Sequence, residues 1–169
     1  MIKTVAIIGS FKQHYNEVCK AWGFLTDLGL DVTSPKGTPI IKEGIPFVRF
    51  TSDEESWSDA LVQTVALHRI LRADFVYVVA PNGYVGRTTC YEIGRIIQVG
   101  KPLYFSEPLN DLPIHIPDSH IMDIEELAEA IRKGEFVLQQ LYTSSNDDVL
   151  RFERHLLLNE YLEDDEFHK

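Results

Sequence analysis

The chain has 169 residues, of which 44% are hydrophobic, and this composition suits one globular domain with a sizeable core. Its net charge of −10 argues against nucleic-acid polymers and anionic membranes as partners, because a basic face is needed to bind either. The two cysteines, Cys19 and Cys90, have no metal-binding spacing, and the apolar run at residues 5–8 is too short for a signal peptide. We therefore expect a reduced, cytoplasmic protein without a bound metal.

The apolar pattern predicts an alternation of strands and helices along the chain. Short β-branched and aromatic runs predict strands at residues 2–8, 30–33, 75–79 and 102–105. Apolar residues at helical spacing predict helices at residues 14–28, 58–72, 89–99, 124–133 and 147–162. For the fourth helix we expect Asp123 as the N-cap and Gly134 as the terminator.

This order predicts an α/β fold, namely a doubly wound (Rossmann or flavodoxin-like) parallel sheet flanked by helices. We expect the α/β domain to span residues 1–135 and a helical C-terminal extension with an acidic tail to span residues 136–169. Residues 38–55 are rich in Pro and Gly and lack periodicity. A loop of that size in a compact domain is more often functional than idle, and covering a pocket is one such function.

The segment from Asp74 to Gly94 is the most informative part of the chain. It predicts a buried strand, a glycine-broken loop and then a helix with Glu92 in its first turn, which is where open α/β sheets bind ligands. Two interpretations of Glu92 stay open. With Thr89 it fits a capping box, in which the glutamate returns to the amide of the cap residue. As an ionised carboxylate at a helix N-terminus, beside glycines that admit a ligand, it is also a candidate nucleophile.

The residues around Glu92 carry a resemblance to a known family. Asn82-Gly83-Tyr84-Val85-Gly86, two threonines, Tyr91-Glu92-Ile93-Gly94 and Gly100-Lys101-Pro102 follow one another in this order. This order resembles the nucleoside 2-deoxyribosyltransferase family and its N-glycosidase relatives that act on nucleoside 5′-monophosphates. Gly9-Ser10-Phe11 resembles the opening turn of that family, and the similarity covers about residues 2–133.

The resemblance implies that Glu92 attacks the anomeric carbon of a nucleoside and forms a glycosyl ester. Water or a second base then resolves the ester, which gives hydrolysis or transfer without a metal or an organic cofactor. The resemblance also implies that copies of the chain complete each other's active sites, so we expect a homodimer or a larger homo-oligomer.

The chain departs from the family pattern at three positions. Ala6 stands where the family usually has a tyrosine, residues 66–69 contain no acid where it has an aspartate, and a further family acid falls near Gly86. These departures favour a hydrolase, or a variant with different substrates, over a deoxyribosyltransferase of the usual type. Tyr84, His68 and Asp74 are candidates to substitute for the missing groups.

Each substitute also has a structural interpretation. Asp74 lies at a helix-to-strand junction, where a capping or solvated aspartate is common. His68 has a pKa range suited to protonating a departing base, but it also fits the edge of a buried helix face. Tyr84 lies between glycines, where an aromatic ring has little core to join, and is suited to stacking on a base or covering a sugar.

The predicted substrate-binding residues lie at two neighbouring helix starts, where backbone amides favour an anion. Their hydroxyls and cations favour a 5′-monophosphate over a free nucleoside. The full set is Gly9, Ser10, Phe11, Lys12, Gly83, Gly86, Arg87, Thr88 and Thr89.

Two alternatives remain. The segment from Pro81 to Thr88 also resembles the phosphoribohydrolases that activate cytokinins, although Asn82 stands where their motif has glycine. The second alternative is a non-catalytic nucleotide sensor of the same fold, and the missing tyrosine and aspartate favour it.

Overall fold

The computed structural model describes residues 2–36, 49, 54–110, 112–142 and 148–167, so most of the loop predicted at residues 38–55 lies outside the described residues. The described chain forms a parallel sheet with the strand order β2-β1-β3-β4. The strands are β1 (Thr4–Gly9), β2 (Asp31–Ser34), β3 (Phe75–Val79) and β4 (Leu103–Phe105).

Helices connect these strands and continue beyond the last one. They are α1 (Tyr15–Asp27), α2 (Asp59–Arg72), α3 (Arg87–Gln98), α4 (Ile124–Lys133) and α5 (Asp148–Leu157). The predicted doubly wound α/β fold is confirmed, and most element ends agree to within two residues. The exception is α5, which ends at Leu157 rather than at residue 162. In the part of the chain that the structure describes, no helix has both the length and the apolar character to cross a membrane.

Helices cover both faces of the sheet, which explains the continuous apolar runs of β1 and β3. Successive strand side chains point to opposite faces. One face packs Val5, Ile7, Phe75 and Tyr77 with residues of α1 and α4. The other face packs Ala6, Ile8, Val76 and Val78 with residues of α2, α3 and α5. Leu141, Tyr142 and Leu150 belong to this second cluster, so the C-terminal segment packs on the sheet domain.

The termini of α4 show how local sequence sets an element. The Asp123 side chain accepts hydrogen bonds from the amides of Glu125 and Glu126, and the Glu126 carboxylate accepts from the amide of Asp123. Gly134 ends the helix in the left-handed conformation. Both the predicted cap and the predicted terminator are confirmed.

The sheet has its switch point between β1 and β3. The chain leaves β1 for β2 on one side and returns to β3 on the other, which opens a crevice beyond the carboxyl ends of these two strands. Gly9 ends β1 there, against Val79 of β3. A Cβ atom on Gly9 would lie 2.6 Å from the carbonyl oxygen of Val79, so the close approach of the two strands requires glycine.

Replacement of Gly9 by alanine should therefore lower the free energy of unfolding, by about 2 kcal/mol for an overpacked site. Gly94→Ala is the matched control, because Gly94 is exposed on α3 and no heavy atom lies within 4 Å of the position that a Cβ atom would take there. We expect the control to gain about 0.5–1 kcal/mol from helix propensity. Urea unfolding curves measure both changes, and equal midpoints for the two variants would contradict the close approach.

Candidate active site

A cavity of about 520 Å³ occupies the crevice at the switch point. Its volume is within the range of small-molecule sites. The walls come from the segment after β1, the end of β2, the inner face of α2 and the start of α3. The predicted site residues among the lining are Gly9, Ser10, Phe11, Lys12, Tyr84, Gly86, Arg87, Thr88, Thr89 and Glu92.

Glu92 faces this cavity rather than the end of its own helix. α3 begins at Arg87 with Gly86 as its N-cap, so Glu92 lies in the second turn and Thr89 lies inside the helix. The capping-box interpretation of Thr89 and Glu92 is therefore wrong, as is the placement of Glu92 in the first turn. Glu92 is 8% exposed, and its Oε1 accepts a hydrogen bond of 2.9 Å from Nε2 of Gln63 on α2.

Burial controls the ionisation of Glu92. Removal of the carboxylate from water raises the pKa of Glu92 to about 7, and the hydrogen bond from Gln63 acts in the opposite direction. The glutamate is therefore poised to exchange a proton near neutral pH, which is typical of groups that take part in acid, base or nucleophilic chemistry.

Basic residues outnumber acidic ones in the described lining of the cavity, although the chain is acidic. Its described lining contains four basic residues and one acidic residue, Glu92; the basic residues are Lys12, Lys36, Arg69 and Arg87. A chain with a net charge of −10 thus concentrates cations in one crevice, which attracts a small anion.

The start of α3 adds backbone donors to these cations. The first hydrogen bond of the helix runs from the amide of Cys90 to the carbonyl of Gly86. The amides of Arg87, Thr88 and Thr89 therefore have no acceptor within the helix and lie at the positive end of its dipole. An anion in the cavity has both backbone amides and side-chain cations to bind.

Asn110, which is distant in sequence, fixes the loop before α3 by hydrogen bonds to Asn82 and Gly83. The Asn110 side chain donates to the carbonyl of Asn82, and its backbone amide donates to the carbonyl of Gly83. Gly83 has φ +71°, and a Cβ atom there would lie 2.5 Å from the Pro108 carbonyl oxygen. The packing of this loop, and not the approach of a ligand, thus requires glycine at position 83, which does not line the cavity.

Tyr84 follows this held backbone and lines the cavity. It is 38% exposed, and its ring contacts the His14 ring edge-on, with 6.0 Å between the ring centroids. The Nε2 atom of His14 is buried and has no hydrogen-bond partner among the described residues. The ring of Tyr84, in the loop before α3, contacts His14, which follows β1. Tyr84 therefore presents an aromatic surface to the cavity.

Two of the predicted catalytic candidates lie outside the cavity. His68 is exposed on α2 and is absent from the lining. Asp74 precedes β3, so it lies at the amino edge of the sheet, opposite the crevice. It accepts hydrogen bonds from the amides of Lys3 (2.8 Å) and Thr4 (2.9 Å), and the bond from Lys3 is the main cause of its lowered pKa. Asp74 thus joins the start of β1 to β3.

Gln63 is a site residue that the sequence pattern did not predict. It lies on the cavity-facing side of α2 among apolar neighbours, Val62, Ala66 and Ile70. A polar side chain next to apolar residues on a helix face was the available signal, because a partly buried polar group needs a hydrogen-bond partner.

Comparisons with protein-family models, with curated proteins and with solved structures found no match. Within the described residues, no group of three or more His, Cys, Asp or Glu side chains is placed to hold a metal ion. The fold and the cavity define a doubly wound α/β protein with a buried carboxylate in a crevice whose described lining contains more basic than acidic residues.

The raised pKa of Glu92 predicts a pH-dependent cost in stability. A carboxyl whose folded pKa is about 7 and whose unfolded pKa is 4.5 stabilises the fold fully below pH 4.5, and this stability is lost as the pH rises through 7. Glu92→Gln mimics the protonated form at every pH. We expect it to exceed the wild type in unfolding free energy by about 3 kcal/mol at pH 8 and to match it near pH 4.5.

Urea unfolding at a series of pH values measures this difference. Glu129→Gln on the exposed face of α4 is the control, because the Glu129 carboxylate already pairs with Arg132 and Lys133 and gains nothing from neutralisation. A constant difference between Glu92→Gln and wild type across the pH range would show that Glu92 is not held in a desolvated site.

Proposed function

We propose that the protein cleaves the N-glycosidic bond of a nucleoside or nucleoside 5′-monophosphate, with Glu92 as the nucleophile. The observation that carries the proposal is the buried Glu92 carboxylate in a basic crevice at the switch point of the sheet. The resemblance of Tyr91-Glu92-Ile93-Gly94 to the nucleoside 2-deoxyribosyltransferase family supplies the reaction class.

The chemistry needs an ionised carboxylate on the face of the sugar opposite the base. One oxygen of Glu92 bonds to the anomeric carbon while the bond to the base nitrogen breaks, and the base leaves with the electron pair and takes up a proton. Attack of water on the anomeric carbon then releases the sugar, frees the Glu92 carboxylate and gives up a proton. A second base in place of water makes the same reaction a transfer.

The rest of the cavity suits the other parts of such a substrate. The amides at the start of α3, together with Lys12 and Arg87, form an anion site for a 5′-phosphate. Tyr84 provides an aromatic surface for the base or the sugar. Phosphate, sugar and base together match a cavity of about 520 Å³ better than any one of them alone.

A trapped sugar ester on Glu92 is the direct test. Fluorine at C2′ destabilises the oxocarbenium-like state, so incubation with 2′-fluoro-2′-deoxynucleosides and their 5′-monophosphates should leave an adduct on the intact protein. We expect mass spectrometry to map the adduct to Glu92, and Glu92→Ala to release base at least about a thousandfold more slowly than wild type.

The control for this test is Glu129→Ala, whose side chain lies on the outer face of α4 and should leave turnover unchanged. The proposal is refuted if Glu92→Ala releases base at the wild-type rate. Tight nucleotide binding by calorimetry, without base release from a panel that includes an N6-substituted adenine ribonucleotide, would instead indicate a nucleotide sensor.

If Lys12 and Arg87 bind a 5′-phosphate, replacing either residue should weaken the binding of phosphorylated substrates more than that of free nucleosides. Lys12→Met and Arg87→Met should each raise KM for a nucleoside 5′-monophosphate about tenfold or more, because each removes a charge-assisted hydrogen bond. KM for the matching free nucleoside should change less than about threefold. Lys133→Met on α4 is the control. Equal effects on both substrates would place the phosphate elsewhere.

A further inference from the structure

We propose that Gln63 is the positioning residue for Glu92, holding one carboxylate oxygen so that the other faces the anomeric carbon. This inference rests on the proposed role of Glu92 as the nucleophile. Among the described residues, Gln63 is the one side chain that hydrogen-bonds the Glu92 carboxylate, through Nε2 and Oε1 at 2.9 Å. The bond joins α2 to α3 across the cavity.

Gln63 lies half-buried on the cavity-facing side of α2. Its neighbours on the cavity-facing side of the helix are the apolar Val62, Ala66 and Ile70 and the basic Arg69. Val62 and Ile70 are buried in the hydrophobic core. A half-buried amide has lost part of its hydration, so without a hydrogen-bond partner it would destabilise the fold. The amide is compatible with its site because Glu92 accepts its N–H.

An amide is suited to this task because it donates a hydrogen bond without exchanging a proton. A lysine or arginine at position 63 would form an ion pair that lowers the nucleophilicity of Glu92, and a carboxylate would repel it. The N–H of Gln63 favours the ionised form of Glu92 against the effect of burial. Gln63 engages Oε1, and no side chain in the described part of the chain hydrogen-bonds the other oxygen, which is therefore available to the proposed substrate.

The start of α2 is fixed firmly enough to hold Gln63 in place. The Ser58 side chain accepts from the amide of Leu61 and caps the helix. The Arg49 guanidinium donates to the Trp57 carbonyl at 2.7 Å and to the Asp59 carboxylate at 2.6 Å. A residue that orients a catalytic group needs such support from its own element.

Gln63→Met tests the proposal, because methionine has a similar length and cannot donate to Glu92. We expect kcat at pH 7 to fall about tenfold with KM changed less than about threefold, since the nucleophile and not the substrate is affected. The acid limb of kcat/KM should move about one unit to higher pH. The other charged groups of the cavity, Lys12, Lys36, Arg69 and Arg87, are the same in both proteins.

Two further variants separate positioning from a general disturbance of α2. Gln63→Glu keeps the shape of the side chain but replaces the donor by a second carboxyl, so the acid limb should move further in the same direction. Gln63→Glu also serves as the test variant if Gln63→Met fails to fold. Thr64→Ala is the control, because the exposed Thr64 hydroxyl donates to the Ala60 carbonyl of the same helix. Its pH profile should match the wild type.

A ¹³C NMR titration of the Glu92 carboxyl, assigned with Glu92→Gln, measures ionisation without turnover. The proposal predicts a higher titration midpoint in Gln63→Met than in wild type. An unchanged midpoint together with an unchanged kcat overturns it. If the midpoint moves but wild-type protein releases base from no nucleoside or nucleotide, the control of ionisation by Gln63 is supported and the proposed function fails.

Discussion

The site depends on one conflict, between burying the Glu92 carboxylate and keeping it ionised. Burial at 8% exposure favours the protonated form, whereas the proposed attack on carbon needs the charged form. Full exposure would remove the conflict, but in the proposed reaction solvent would then compete with the sugar for the carboxylate. A pKa of about 7 is the balance between these demands, and the Gln63 amide is the group that lowers it.

The doubly wound topology brings together the two side chains that set the pKa of Glu92, namely Glu92 itself and Gln63. α2 and α3 lie on the same face of the sheet, so the crevice between β1 and β3 receives side chains from both helices. The capped start of α2 fixes Gln63, and the core contacts of Ile93 and Ile96 fix α3 beneath Glu92. The pair of Gln63 and Glu92 is thus supported by rigid elements, while the residues suited to binding an anion lie at the helix starts and in the loops.

Local features of the fold such as the ends of α4 were predictable from the sequence, and features set by distant contacts were not. The capping box expected at Thr89 and Glu92 was wrong because α3 begins earlier, at Arg87. Asp123 and Gly134 delimit α4 through interactions within a few residues, so their pattern is visible in the sequence. The role of Gly83 depends on Asn110, and the partner of Glu92 is 29 residues away. The position of Asp74 was inferable, because a residue that precedes a parallel strand lies at the edge opposite the binding crevice.

The neutral hydrogen-bond partner of Glu92 also affects how the crevice could bind an anionic substrate. A phosphate bound in the cavity would raise the pKa of a nearby carboxyl and so oppose its ionisation. Cations that paired with Glu92 would be partly neutralised before the phosphate arrived. Because an amide holds Glu92 instead, the exposed Lys12 and Arg87 stay available to the phosphate of the proposed substrate. In the proposed reaction, the charge of the substrate is then offset by groups other than the one that positions the nucleophile.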